Sequence, residues 1–252
     1  MVESKKLNGQ TALVTGARGG IGSVICTKLA QAGMRIVLLD KCCNDDASQA
    51  LYEGLPGHDH WMVEAAVDDS PQLADVASEV ERRYGKLDIL INNAGITRYV
   101  PHADLDGLDD QLIDEIFRVN WRGAFACVRA FRELLAKPPG GLVINMSSIA
   151  GTTGVGSNVA YCASKAALNS LTVSLARALA PDIRVVAIAP GWVMGEYARR
   201  MDPAMIAEQT ARTPLGRLAS PEDIANAILA LATHLTFTTG AVIPVDGGRP
   251  LG

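Results

Sequence analysis

The stretch TALVTGARGGIG, residues 11–22, decides the fold of this chain. Its first five residues form a short apolar run that predicts a β-strand, and a helical pattern follows over about residues 20–32. Glycines between a strand and a helix let the backbone turn tightly and approach a pyrophosphate at the helix N-terminus. The spacing of Gly16, Gly20 and Gly22 differs from Gly-x-Gly-x-x-Gly, so their position directly after the first strand carries the prediction of a phosphate-binding turn.

Strand-like apolar runs alternate with segments of helical period along the rest of the chain. Further strands are predicted at about residues 35–40, 60–67, 87–92, 142–146, 184–189 and 241–245, and further helices at about 70–84, 109–136, 158–180 and 221–233. This alternation, with strands that are continuously apolar, is typical of a parallel sheet covered on both faces. We therefore predict an α/β fold, a Rossmann-like doubly wound parallel sheet with helices on both faces, in one domain over residues 1–252.

Composition argues against several classes of protein. The 252 residues are 48% hydrophobic, which is enough for a sizeable core, and the net charge of −4 argues against a nucleic-acid-binding surface. The apolar runs are too short to span a bilayer, and no apolar stretch follows the first six residues, so we expect neither a membrane segment nor a signal peptide. Five cysteines, an odd number without a Cys-x-x-Cys pair, indicate reduced thiols and a cytoplasmic location.

The triplet His58-Asp59-His60 is the feature that most suggests a metal. The chain has only four histidines, and no further ligand cluster lies near the triplet in the sequence. A polar turn before a strand explains the triplet as well, so we expect no metal site.

Asp40 ends the second predicted strand, 18 residues after Gly22. A carboxylate at this position accepts hydrogen bonds from adenosine ribose hydroxyls and repels a 2′-phosphate, which favours NAD over NADP. Arg18 and Lys41 are the opposing observation, since either side chain could meet a phosphate. We give Asp40 more weight because like charges at close range are costly.

Tyr161 and Lys165 are four residues apart in a predicted helix and would share one of its faces. A nearby ammonium favours the phenolate, so we expect Lys165 to lower the pKa of Tyr161 toward neutrality. With Ser148 upstream, the pair has the chemistry of an acid/base that moves a proton on or off an alcohol oxygen. Tyr-x-x-x-Lys alone is a weak pattern, and an exposed helical pair is the alternative.

Together with these residues, a series of motifs resembles the short-chain dehydrogenase/reductase family over residues 7–248. The motifs follow the family's order and spacing: Thr15-Gly-x-x-x-Gly20-Ile-Gly22, Asn92-Asn93-Ala94-Gly95, Asn120, Ser148, Tyr161-x-x-x-Lys165, Pro190-Gly191 and Val245-Asp246-Gly247-Gly248. The resemblance implies a single-domain enzyme that transfers hydride between a nicotinamide cofactor and a small secondary alcohol or ketone.

The resemblance also implies roles for individual residues. Tyr161 would be the general acid/base, Lys165 would lower its pKa and bind the nicotinamide ribose, and Ser148 would hydrogen-bond the substrate oxygen. Asn120 would hold a water in a proton relay to Lys165. Ser147 is the rival for the serine role, and the 13-residue spacing to Tyr161 favours Ser148.

The residues that the resemblance assigns to the cofactor lie in several segments. They are Gly16, Arg18, Gly20, Ile21 and Gly22 in the first turn, Asp40, Val67 beside the adenine, Asn93, Ala94, Gly95, Val119, Tyr161 with Lys165, and Pro190, Gly191 and Val193 beside the nicotinamide. Two positions depart from the family's pattern. Ala66 stands where an Asp often precedes Val67, and Gly195 stands where a Thr often contacts the carboxamide.

The substrate is poorly specified by the sequence. The resemblance places its pocket near residues 97–99 and 152–158, under a flexible lid of about residues 192–217. Arginines in these segments could meet an anionic substrate group: Arg98, Arg199, Arg200 and Arg212. A solvated, charged lid helix is the alternative.

The helix predicted over residues 158–180 carries apolar residues around much of its circumference. One face would cover the sheet and the other would pack on a neighbouring subunit, and the resemblance implies a homotetramer. Two other functions stay open. One is a 3-oxoacyl-[acyl-carrier-protein] reductase, which usually goes with NADP. The other is a catalytically silent, cofactor-binding regulatory protein, which typically lacks the tyrosine or the lysine.

Overall fold

The computed structural model describes residues 7–195, 198 and 202–251. The strands in this part of the chain are β1 Thr11–Thr15, β2 Arg35–Asp40, β3 Trp61–Glu64, β4 Ile89–Asn92, β5 Gly141–Met146, β6 Ile183–Pro190 and β7 Val242–Val245. They form one parallel sheet in the order β3-β2-β1-β4-β5-β6-β7.

Helices connect the strands and cover both faces of the sheet. They are α1 Gly20–Gln31, α2 Asp46–Glu53, α3 Ser70–Tyr84, α4 Asp110–Phe117, α5 Ala124–Ala136, α6 Ala150–Thr153, α7 Val159–Leu179, α8 Pro203–Ala211 and α9 Pro221–Thr233. A π-helical turn, Arg118–Gly123, joins α4 to α5, and a 3₁₀ turn, Arg249–Leu251, follows β7. The doubly wound parallel sheet predicted from the sequence is confirmed.

Alternate strand residues enter two separate hydrophobic cores. In β1, Ala12 and Val14 pack with α1 and α9, while Leu13 enters the core built with α3 and α5. Ile25 of α1 and Phe131 of α5 are fully buried, one in each core. Successive side chains of a strand point to opposite faces, so an unbroken apolar run is what a sheet between two helical layers requires.

Most predicted elements agree with the structure, and the differences have local causes. The bounds of β1, β2, α3 and α9 match those predicted. β3 ends at Glu64 rather than at residue 67, because Ala65–Val67 leave the sheet to line a cavity. The helix predicted over residues 109–136 contains the π turn, which an apolar pattern does not reveal. Sequence analysis missed three short helices (α2, α6 and α8), and α8 lies within the predicted lid.

The strand order reverses between β1 and β4, which pair with each other while their neighbours in the chain lie on opposite sides. Ligands of open α/β sheets bind at such a switch point, outside the carboxyl ends of the strands. The loops that follow β1 and β4 meet here, since Asn93 donates hydrogen bonds to the carbonyls of Thr15 and Gly16, each at 3.0 Å. The fold therefore brings the first glycine-rich turn and the Asn-Asn-Ala-Gly segment to one place.

Candidate active site

A cavity of about 690 Å³ opens at the carboxyl ends of the central strands. This volume lies within the range of about 300–1,000 Å³ that small-molecule and cofactor sites occupy. Most of the predicted site residues line it together: Gly16, Gly20, Ile21, Gly22, Asp40, Val67, Asn93, Ala94, Gly95, Val119, Ser148, Tyr161, Lys165, Pro190, Gly191 and Val193. Two predicted residues, Arg18 and Asn120, are not among the lining residues.

The glycine-rich turn has the shape of a phosphate cradle. Gly16 has φ +62°, and a Cβ there would lie 2.9 Å from the Cα of Ala94. A Cβ on Gly22 would lie 2.2 Å from the Gly16 carbonyl oxygen. No side chain caps the N-terminus of α1, so the N–H groups of its first turn are left for an anion in the cavity. This end of the site therefore fits a dinucleotide pyrophosphate.

Asp40 lines the predicted ribose end of the cavity, and Arg18 lies beside it together with a residue that sequence analysis missed, Asp45. Asp40 accepts a hydrogen bond from the main-chain N–H of Arg18 at 3.1 Å. The Arg18 guanidinium pairs with Asp45, with 2.5 Å between Nη2 and Oδ2. Asp45 also caps α2, and its hydrogen bonds from Ser48, together with Arg18, lower the pKa of its carboxyl. The Asp-x-x-Ser pattern before α2 was the available signal.

The two departures from the family pattern occupy the cavity wall. The main-chain N–H of Ala66 donates to Gln72 at 3.0 Å, and Asp68, which also lines the cavity, pairs with Arg118 at 3.2 Å. The Asp68 carboxylate, beside the predicted adenine position, therefore already has Arg118 as its partner. A Cβ on Gly195 would meet nothing within 4 Å, so open space takes the place of the usual threonine side chain.

Tyr161 lies in the first turn of α7, with its ring at the cavity. Burial raises the pKa of Tyr161, and a hydrogen bond with the Ser148 side chain opposes this increase. The positive end of the helix dipole also favours the phenolate at this position. The expectation that Lys165 lowers this pKa is wrong for the protein's own charges, because burial prevails and the Lys165 ammonium is directed elsewhere.

Lys165 is buried, and its ammonium donates a hydrogen bond to the Met146 carbonyl at 2.7 Å. The distance from Nζ to the centre of the Tyr161 ring is 5.6 Å. Burial lowers the pKa of Lys165 to about 8. The lysine is thus poised to lose its proton in the neutral to weakly basic range. The Met146 carbonyl could not be predicted as its partner from the sequence, since every residue carries a main-chain carbonyl.

The two candidate serines have different surroundings. Ser147 is buried, and its hydroxyl donates to Asn169 Oδ1 at 2.6 Å, with the Lys165 carbonyl oxygen as a more distant acceptor at 3.3 Å. Ser148 accepts a hydrogen bond from the Ala150 main chain at 3.1 Å and is the serine that contacts Tyr161. This arrangement favours Ser148 for substrate contact and leaves Ser147 to support α7.

Asn120 lies in the π turn, and its side chain is occupied by protein contacts. Its Oδ1 accepts from the Ile96 N–H at 2.8 Å, and its Nδ2 donates to the Ile96 carbonyl at 3.0 Å and to Ser164 at 3.2 Å. A Cβ on Gly95 would lie 3.3 Å from Oδ1 and 3.6 Å from the Lys165 Nζ. The side chain therefore clamps the loop after β4 beside Lys165, and its Oδ1 keeps one further lone pair. π turns often occur at functional sites.

Asn158 connects the predicted substrate segments to the helix that carries Tyr161. Its Oδ1 caps α7 by accepting from the Tyr161 N–H at 2.7 Å. Its Nδ2 donates to the Arg98 carbonyl at 2.7 Å and to the Thr97 hydroxyl at 3.3 Å. Asn158 is fully buried, so each of these bonds is costly to lose. Sequence analysis placed Asn158 at a helix start and at the end of a predicted pocket segment, but did not predict its contacts with Thr97 and Arg98.

The arginines predicted to meet an anionic substrate group are only partly described. Arg98 pairs with Asp109 at 3.0 Å, and Arg212 lies 3.7 Å from Glu208 on α8. Arg199 and Arg200 lie outside the described residues. The two arginines that can be placed are thus already paired with carboxylates, which favours the alternative of a solvated charged surface.

His60, the third residue of the possible metal triplet, has a structural role. Its Nδ1 accepts from the Ile36 N–H at 3.1 Å, and its Nε2 lies 3.1 Å from the Pro56 carbonyl. In the described part of the chain, no three His, Cys, Asp or Glu residues form a group that could hold a metal ion. Within the same residues, no helix has the length and apolar character needed to span a membrane.

Known proteins similar to this chain are found both by sequence and by structure. A family model described as enoyl-(acyl carrier protein) reductase matches residues 16–249. A protein of Streptomyces violaceoruber, described as ketoacyl reductase 2 of the granaticin polyketide synthase, is 39% identical over 95% of this chain and 96% of its own. A 3α-hydroxysteroid dehydrogenase of Mediterraneibacter gnavus is 34% identical over 96% of this chain and 97% of its own.

The structural comparison names the family. A Burkholderia xenovorans protein, whose crystal structure is described as that of a short-chain dehydrogenase/reductase, superposes with a TM-score of 0.86. It is 34% identical, and the match covers 96% of this chain and 98% of that one. The chain belongs to the short-chain dehydrogenase/reductase family. It is an oxidoreductase that acts on the ketone/alcohol pair, and its family uses nicotinamide cofactors.

Proposed function

We propose that this short-chain dehydrogenase/reductase uses NAD in preference to NADP to interconvert a small secondary alcohol and its ketone. The observation that carries the cofactor preference is the ribose end of the cavity. Asp40 places a carboxylate there, and one of the two candidate cations, the Arg18 guanidinium, is paired with Asp45. Lys41 also lines the cavity and is the remaining argument for NADP. The 2′-phosphate of NADP would thus be repelled by the Asp40 carboxylate, and Arg18 could bind it only by leaving Asp45.

The residues at the other end of the cavity manage the proton. The bound nicotinamide supplies hydride exchange with the substrate carbon. Tyr161 gives its hydroxyl proton to the ketone oxygen during reduction and takes a proton from the alcohol during oxidation. Ser148 holds the same oxygen, and its bond to Tyr161 helps to bring the tyrosine pKa down. A positively charged, oxidised nicotinamide would lower that pKa further, which the protein's own charges do not achieve.

Lys165 and Asn120 support this proton transfer. Lys165 binds the nicotinamide ribose through its ammonium, which the Met146 carbonyl keeps at the cavity wall. Asn120 acts by holding the Ile96 main chain and Ser164, so the position of Lys165 depends on the π turn. Asn120 would also hold a water in a proton relay to Lys165, since its Oδ1 keeps a second lone pair beside the bond from the Ile96 N–H.

The substrate class has two candidates of related chemistry. The first is a small, uncharged ketone or secondary alcohol, because the two candidate arginines that can be placed, Arg98 and Arg212, are paired with carboxylates. The second is a 3-oxoacyl-[acyl-carrier-protein] reductase, which the likeness to a ketoacyl reductase favours. Residues 192–217 would close over either substrate as a lid, and α8 within this segment has no fully buried side chain.

The assembly and location are further parts of the proposal. Trp121 and Phe125 stack at 6.1 Å between ring centroids and pack with Leu168 and Leu171 of α7. Val173 of the same helix is 40% exposed, which fits a helix face that packs on a second subunit of a homotetramer. The five cysteines are free thiols, as suits the cytoplasm.

A screen of alcohols and ketones with NAD(H) and NADP(H) side by side tests the proposal. We expect turnover of secondary alcohols or ketones, with kcat/KM at least ten times higher for NAD(H). A preference for NADP(H) with a 3-oxoacyl thioester would select the second candidate. Binding of NADH without turnover of any ketone or alcohol in the screen would favour the catalytically silent regulatory protein.

A further inference from the structure

Asp45 divides its two carboxylate oxygens between two tasks. Oδ1 accepts from the N–H of Ser48 at 2.8 Å and from its hydroxyl at 2.6 Å, which caps α2. Oδ2 faces the Arg18 guanidinium at 2.5 Å. Because the cap fixes the orientation of the carboxylate, Oδ2 is held toward Arg18 whether or not the arginine is there. The ion pair is therefore preorganised from the side of Asp45.

Arg18 is held at both of its ends. Its main-chain N–H donates to Asp40, and its guanidinium pairs with Asp45. The turn that carries Arg18 lines the cavity on both sides of it, at Gly16 and Gly19, yet Arg18 itself is not part of the wall. Its side chain is thus next to the predicted ribose end and faces Asp45.

An arginine at this place would otherwise suit a 2′-phosphate. The guanidinium fork matches phosphate geometry and forms strong, charge-assisted hydrogen bonds. To reach a phosphate, Arg18 would have to leave Asp45, and this would leave the capped carboxylate without its counter-charge. Discrimination against a ligand can come from such a competing contact as well as from direct repulsion.

We propose that Asp45 is a specificity-determining residue, which holds Arg18 away from the adenosine ribose and so strengthens the rejection of a 2′-phosphate. This inference rests on the proposed NAD preference and extends it from Asp40 to a residue outside the cavity. Asp45 acts through Arg18 and does not touch the cofactor. The two acidic residues therefore have separable effects. Asp40 repels a 2′-phosphate directly, and Asp45 keeps the Arg18 guanidinium from binding it.

Binding of two nucleotides tests the inference without any turnover. Adenosine 2′,5′-bisphosphate carries the 2′-phosphate, 5′-AMP lacks it, and calorimetry gives the Kd of each. In the Asp40→Asn background, we expect Asp45→Asn to tighten bisphosphate binding at least fivefold and to change 5′-AMP binding less than twofold. Asparagine is as good a helix cap as aspartate, so α2 keeps its N-terminus. Asp45→Ser is a second uncharged capping variant if Asp45→Asn folds poorly.

Two matched variants separate the arginine mechanism from a general loss of negative charge. Asp46→Asn removes the same charge one residue away, at an exposed position in the first turn of α2. We expect it to leave the Kd of the bisphosphate within twofold. In an Arg18→Ala background, we expect Asp45→Asn to have no effect, because the arginine that it releases is absent.

Three results would overturn the role of Asp45. They are an unchanged bisphosphate Kd with both Asp45→Asn and Asp45→Ser, an equal gain with Asp46→Asn, and a gain that persists in the Arg18→Ala background. The wild-type protein tests the underlying proposal separately. If it binds the bisphosphate more tightly than 5′-AMP, the NAD preference itself fails.

Discussion

The charged side chains at the two ends of the cavity differ in exposure and in the groups that they pair with. At the ribose end, the Arg18 and Asp45 side chains are 39% and 35% exposed, and they form an ion pair in contact with water. At the reaction end, Lys165 is 5% exposed and hydrogen-bonds a main-chain carbonyl with no carboxylate in its described contacts. An exposed pair of charges contributes little to stability but can select between ligands, whereas burial of one charge shifts its pKa strongly. We therefore expect residues at the ribose end to affect the choice of cofactor and residues at the reaction end to affect proton transfer.

Replacing Lys165 by methionine should have the largest effect at the reaction end. The variant loses the ammonium that would bind the nicotinamide ribose in the proposed function, so we expect kcat/KM to fall by about 10²–10⁴-fold, the range typical for groups that take part in proton transfer. Steady-state kinetics with the best substrate of the screen measures this. Lys41→Met, a change of the same kind at the ribose end, is the control and should alter kcat less than threefold. A Lys165→Met variant with nearly wild-type kcat/KM would contradict the role of Lys165.

Asp40→Asn should have the next largest effect, and it should act only on cofactor choice. The amide oxygen can still accept from the Arg18 N–H, while the charge that repels a 2′-phosphate is gone. We expect the ratio of kcat/KM for NAD to that for NADP to fall by about 10–100-fold, which corresponds to about 1.4–2.7 kcal/mol. Parallel kinetics with the two cofactors measures the ratio. An unchanged ratio would place the selectivity elsewhere, such as at Lys41.

Much of the fold and of the site could be predicted from sequence, and the ribose end shows where prediction stopped. Asp40 could be identified because a strand end and a glycine-rich turn have fixed positions relative to each other. Asp45 could not be tied to Arg18, since that contact depends on how α2 follows β2. The rise of the Tyr161 pKa was equally hidden, because burial depends on packing around the ring and not on the four-residue spacing to Lys165. The π turn at Asn120 leaves no mark on apolar periodicity.

Asn158→Asp should have a smaller effect, on the predicted substrate segment beside Tyr161. Aspartate keeps the cap on the Tyr161 N–H but cannot donate to the Arg98 carbonyl or to Thr97. We expect KM for the substrate to rise about three- to tenfold, with kcat reduced less than threefold, because the substrate segment loosens while Tyr161 stays in place.

Asn158→Ala is the comparison for this prediction, since it removes the cap as well. It should lower kcat and also destabilise the fold by about 0.5–2 kcal/mol through loss of the cap alone. Equal losses of kcat in Asn158→Asp and Asn158→Ala would show that the residue does not connect the substrate segment to Tyr161 in the proposed way.

The smallest effect concerns stability and pH. Burial lowers the pKa of Lys165 from 10.5 to about 8, so between these values the unfolded chain binds more protons than the folded one. Through this group the free energy of unfolding therefore rises with pH from about 8 to 10.5. Chemical denaturation of the wild type and of Lys165→Met should show the wild type gaining relative to the variant as the pH rises from 7.5 to 9.5. A constant difference would mean that Lys165 keeps an ordinary pKa.

The most direct test of the central claim, that Tyr161 moves the proton and the ribose end separately chooses the cofactor, is the Tyr161→Phe variant. Single-turnover absorbance of NADH, mixed with the best ketone, gives the rate of reduction, and fluorescence titration gives the Kd of NADH. The account predicts a rate at least 100-fold below the wild type, with the Kd of NADH within threefold and the preference for NADH over NADPH unchanged. A wild-type reduction rate in Tyr161→Phe would contradict the account.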